Sequence, residues 1–71
     1  MMPLTMARPQ DGVLMIRKVG GKDETRRHLA ELGFVSGEQV QVICEVAGNL
    51  ILNVKGARVA LDRQLAQRIM V

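Results

Sequence analysis

Gln39-Val40-Gln41-Val42-Ile43-Cys44-Glu45-Val46, then Ala47-Gly48-Asn49, Leu50-Ile51-Leu52-Asn53-Val54, Lys55-Gly56 and Ala57-Arg58-Val59-Ala60-Leu61 decide the fold. In the first segment apolar residues recur at every second position. This places Val40, Val42, Cys44 and Val46 on one side of a half-buried strand. Leu50, Leu52 and Val54 repeat the pattern, as do Ala57, Val59 and Leu61. The reversals between them are glycine-bearing and too short for anything but hairpins. Three consecutive antiparallel strands, a meander, follow.

Downstream, Asp62-Arg63-Gln64-Leu65-Ala66 reads as one helical turn of 3₁₀ type, before a closing strand whose Ile69 and Val71 share a face. Upstream, Ser36-Gly37-Glu38 is a turn, and the pattern before it changes to helical from Lys22 to Leu32. Asp23 is the expected N-cap, and Gly33 stands where a left-handed C-terminal cap is expected. Thr25, Leu29 and Leu32 form the buried stripe, and Asp23, Arg27 and Glu31 form a charged outer ladder. Ahead of Gly20-Gly21, Val13 to Val19 reads as a first strand buried on more than one face. Met1 to Gly12, with Pro3 and Pro9, is an extended lead-in whose Leu4 and Met6 are placed to cover one end of the core. Five short strands and one helix, in a chain too small for two separate sheets, hide their edges best by curling up. The expected fold is therefore mainly β, a small five-stranded SH3-like barrel with one short helix between the first two strands.

Length and composition agree with this. The 71 residues, 48% hydrophobic and 24% charged, suit one small domain spanning 1–71 with a thin core. A large enclosed active site is disfavoured. Ten Lys and Arg against seven Asp and Glu give a net charge of +3, which raises a nucleic-acid-binding SH3/Sm-like barrel as the alternative function. Arg17, Lys18, Arg26, Arg27, Lys55 and Arg58 would then be the phosphate contacts. The bases are scattered, however, and Phe34 is the only aromatic residue, so stacking platforms are lacking and no nucleic-acid partner is expected. One cysteine, Cys44, allows no internal disulfide, which suits a reducing cytoplasm. The longest apolar run is Val13 to Ile16, far short of a membrane span.

Few residues bear chemistry. A Cys44–His28 dyad is the one conceivable nucleophilic pair, against the simpler reading of Cys44 as an inward strand residue packed like a small hydrophobe. Glu24 and His28 stand at i, i+4 on the helix, but two ligands without a third make no strong metal site. Gly20-Gly21-Lys22 lacks the spacing and the Ser or Thr of a phosphate-binding loop. No catalytic residue, cofactor or metal ligand is assigned. What remains is an apolar surface near the helix, rimmed by charge, for a protein partner: Leu14, Met15, Leu32 and Phe34, with Arg27 and Glu31 as the rim.

Pro3-Leu4-Thr5-Met6-Ala7, the Gly20-to-Glu24 helix entry, Leu29-x-x-Leu32-Gly33-Phe34-x-x-Gly37, Val40-x-Val42, Asn49-Leu50-Ile51-x-Asn53-Val54, Arg58-Val59-Ala60-Leu61 and Ala66-x-x-Ile69-x-Val71 together resemble the FeoA family of ferrous-iron transport. The resemblance covers nearly the whole chain. It implies a non-enzymatic cytoplasmic accessory protein whose partner is the membrane ferrous-iron transporter FeoB, with its cytosolic G-domain. Weak self-association through exposed strand edges is left open by the residues.

Overall fold

A computed structural model describes residues 1–71. The meander is present as β3 (Gln39–Val46), β4 (Asn49–Val54) and β5 (Ala57–Asp62), and with β1 (Val13–Met15) it makes a four-stranded sheet in the order β1-β3-β4-β5. β2 (Lys18–Val19) pairs with β6 (Ile69–Met70) in a second, two-stranded sheet. The expected single first strand is thus divided. Ile16 and Arg17 carry the chain from one sheet to the other, the Ile16 N–H donating to Glu38 O and the Arg17 N–H to Met70 O. With only Leu14 and Ile16 turned inward, Val13 and Met15 are exposed, so this segment is not buried on more than one face.

Both hairpins have two-residue loops in which both residues have positive φ: Ala47 (51°) with Gly48 (83°), and Lys55 (51°) with Gly56 (77°). That is the type I′ geometry whose twist matches the flanking strands. Alanine is poorly suited to the left-handed region, whereas asparagine tolerates it. Ala47→Asn is expected to stabilise the fold by about 0.5–1 kcal/mol, read as a raised midpoint in a denaturant titration.

Within β3 the ladder slips between Val42 and Cys44, leaving Ile43 as a bulge. Val42 faces Leu52 and is buried, but beyond the bulge Cys44 is set opposite outward Ile51, and Val46 opposite Asn49. Cys44 is exposed, and Val46 is 56% exposed. The expected inward stripe Val40-Val42-Cys44-Val46 is therefore interrupted halfway, because one extra residue reverses the alternation beyond it.

Helix α1 spans Asp23–Glu31. Its N-cap is Lys22, with no side-chain capping bond; Asp23 lies in the first turn and pairs with Arg26. At the other end Gly33, at φ 106°, donates to Ala30 O (3.0 Å), and Phe34 N–H reaches Leu29 O (2.9 Å). These are the two bonds of a Schellman motif, and its usual hydrophobic contact is supplied by Leu29 and Phe34, both buried. From there Gly37 N–H donates to Ile16 O (2.7 Å) and the Ser36 hydroxyl to Arg17 O (2.9 Å), fastening the turn to the junction between the sheets.

The segment Arg63–Ala66 is a short α-helix, α2, rather than 3₁₀: Gln67 N–H donates to Arg63 O four residues back at 3.0 Å, and the Asp62 carboxylate caps the start by accepting from Leu65 N–H at 2.8 Å. The lead-in is not extended throughout. It forms 3₁₀ turns at Leu4–Met6 and Pro9–Asp11. Leu4 is fully buried as expected, whereas Met6 is 65% exposed. The core is wholly apolar, fourteen residues, and no buried side chain carries a polar group.

Candidate docking surface

The six residues expected to meet a partner occupy different environments. Met15 is 51% exposed on the outer side of β1, beside Val13 at 58%. Leu14 and Leu32 are half-buried and pack against the core. Arg27 and Glu31 are exposed one turn apart on α1. Phe34 is buried, so it has no surface to offer and acts instead as the anchor of the helix end. α1 and β1 make no extended contact.

Three of the six exposed large hydrophobic side chains, Val13, Met15 and Val46, lie on the outer face of the four-stranded sheet. Pairing sets Met15 against Gln39, Val13 against Gln41, Gln41 against Asn53, and Cys44 against Ile51. The result is a face of aliphatic side chains and uncharged amides, with Arg58 and Asp62 on the far strand. Charge is concentrated elsewhere, at the bend between the sheets, on α1 and at the hairpin tips. Val13 and Val46 belong to this face and were not anticipated. Val13 was legible, since strict alternation from buried Ile16 turns it outward; Val46 was not, because nothing in the sequence marks the bulge.

The remaining chemistry does not converge. His28 is exposed on α1 and Cys44 is exposed on β3, and no hydrogen bond joins them. No three His, Cys, Asp or Glu side chains come together as a donor set; Glu24 and His28 stand exposed on the helix. Of the six bases considered as phosphate contacts, Arg26 pairs with Asp23, and Lys55 with Glu38 at 3.6 Å. With Phe34 buried, no aromatic ring reaches the surface. A groove of about 490 Å³ runs between the lead-in and β3, with Arg8, Glu45 and Arg63 on its walls; Arg63 is already paired with Glu45 at 3.2 Å. No helix is long and apolar enough to cross a membrane.

A four-stranded sheet bent onto a two-stranded one around an aliphatic core, with a single helix after the first bend, defines a small SH3-like barrel domain. Its sequence is more specific than its architecture. The FeoA domain family matches residues 2–71, and the chain belongs to that family. A relative from Methanocaldococcus jannaschii, named "Putative Fe(2+) transport protein A", is 31% identical over 71 residues, covering 100% of this chain and 85% of its own. Among solved structures, an iron uptake regulatory protein FeoA superposes with a TM-score of 0.87 at 32% identity, over 99% of this chain and 92% of that one. FeoA of Chlorobium tepidum gives 0.84 at 24% identity over 97% and 67% respectively, a likeness of fold. A zinc-complexed FeoA of Stenotrophomonas maltophilia, described as a prokaryotic SH3-domain protein, gives 0.61 at 32% identity over 83% and 73%.

Proposed function

We propose that this chain is a non-enzymatic accessory protein of ferrous-iron uptake that works in the cytoplasm by docking on the cytosolic, G-domain-bearing part of a membrane Fe(II) transporter of the FeoB kind. Family membership supplies the pathway. The observation that supports docking is the outer sheet face, where Val13, Met15 and Val46 are each more than half exposed although the core has only fourteen members. Apolar side chains held outward on a rigid sheet, among amides that desolvate more cheaply than charges, make a surface that a protein partner covers. Leu14 packs on the core beneath that face, and Leu32, Arg27 and Glu31 would meet the partner from α1 and its C-cap. Such a protein acts by binding one nucleotide or assembly state of the transporter better than another, since equal affinity shifts nothing.

The test is titration of the purified full chain against the transporter's soluble portion, with and without a GTP analogue. Val13→Glu together with Met15→Glu is expected to weaken binding at least about tenfold while leaving the circular dichroism spectrum unchanged, because both side chains are exposed. Arg27→Glu is expected to have a smaller effect that disappears at high salt. Undiminished binding by the double variant would remove the sheet face from this proposal.

A further inference from the structure

We infer that the free edge of β5 is a self-pairing site, through which two copies of this chain join antiparallel about a two-fold axis at Ala60. β5 ends the sheet order and, apart from its ladder with β4 and its entry into α2, makes no backbone hydrogen bond to any other segment. It has six residues in unbroken register with β4 and holds no proline or bulge, two of the devices that blunt an edge; its edge charges, Arg58 and Asp62, are of opposite sign. The other free edges are shorter: β1 has three residues, and β6 is flanked by the Pro3–Met70 bridge.

Which groups face outward follows from the hairpin. The two-residue loop Lys55-Gly56 makes Val54 and Ala57 a hydrogen-bonded pair, and alternation along β5 then commits Ala57, Val59 and Leu61 to β4. The N–H and C=O groups of Arg58, Ala60 and Asp62 point away from the sheet.

An antiparallel copy can pair only these outward residues with one another, and one register suits their chemistry. With Ala60 opposite Ala60 of the second copy, Arg58 faces Asp62 and Asp62 faces Arg58, all on the outer side of the joined sheet. A slip of two residues sets a charge against Ala60. A slip of four sets like charges together. Ala60 on the axis has the smallest side chain able to leave room for its own image. Asp62 uses Oδ1 to cap α2, which leaves Oδ2 for the guanidinium. Its carbonyl belongs to α2 as the cap position requires, so the joint consists of a pair of hydrogen bonds at Ala60 and one more at each end, from Asp62 N–H to Arg58 O. Val59, half-buried in one copy, stands directly opposite Leu61 of the next on the inner side, as a non-hydrogen-bonded pair.

The test is sedimentation velocity on the full chain from micromolar to millimolar concentration, with amide shifts followed by NMR. The wild type is expected to form a dimer, with concentration-dependent shifts centred on residues 58–62. Ala60→Pro deletes the axial N–H at a position where an edge strand tolerates proline, and is expected to weaken the dimer at least about tenfold. Arg58→Glu sets acid against Asp62 and is expected to do the same, with Arg58→Lys restoring most of the loss; this pair carries the test if Ala60→Pro does not fold. A monomer at every concentration overturns the inference, as does a dimer unaffected by these substitutions, shifts confined to another surface, or a β5 edge that responds only to an added strand from a different protein.

Discussion

Phe34→Ala is expected to remove a large part of the stability of the fold, and all of it if the chain sits at the low end of the range for its length. Removing a fully buried phenylalanine costs about 3–5 kcal/mol in transfer and cavity terms. Chains of this length are stable by roughly 4–11 kcal/mol at about 0.05–0.15 kcal/mol per residue. Phe34 also holds more than its own volume. It is the hydrophobic partner of the Schellman motif that ends α1, and it precedes the turn bonded to Ile16 and Arg17, so its loss loosens a helix end and the junction of the two sheets together. A urea titration should show a midpoint far below that of the wild type, or no native baseline at all. A loss below about 1 kcal/mol would mean that the core closes around the vacancy, and that Phe34 is not the keystone described here.

Leu29→Ala should cost about 2–5 kcal/mol by the same reasoning, but with a different signature. Leu29 is the only fully buried residue of α1, and the other stripe members, Thr25 and Leu32, are half-covered. A nine-residue helix is marginal by itself, so this one persists because Leu29 ties it to the core. The four-stranded sheet does not depend on it for its hydrogen bonds. Amide exchange of residues 23–31 should therefore accelerate more than that of β3 and β4. Uniform acceleration across both would show that helix and sheet open as one unit.

Most of the architecture was legible because it rests on local rules. Period-two alternation and glycine at the reversals gave β3, β4 and β5 almost to the residue, and Leu32-Gly33-Phe34 announced its own cap. The misses share a cause. The bulge at Ile43 lies inside the apolar run Val42-Ile43-Cys44, where no residue type marks an insertion, so Cys44 and Val46 were assigned to the wrong side. The break after Met15 contains neither glycine nor proline; it arises because Ile16 and Arg17 find hydrogen-bond partners on different sheets, a tertiary fact. The proposed docking face was half legible. The excess of apolar residues in Val13–Ile16 was visible, but which of them would be left outside depended on the division of that strand. Phe34 was misplaced on the surface although its position after a capping glycine already favoured burial.

The bulge has a practical corollary. By turning Cys44 to solvent it gives the molecule one addressable thiol, in the same cross-strand row as Ile51 and Ala60. A nitroxide attached there stands two and a half strand spacings from the proposed axis. In the joined pair five spacings of about 4.8 Å separate the two labelled backbones, about 24 Å in all, a span that pulsed electron paramagnetic resonance can measure.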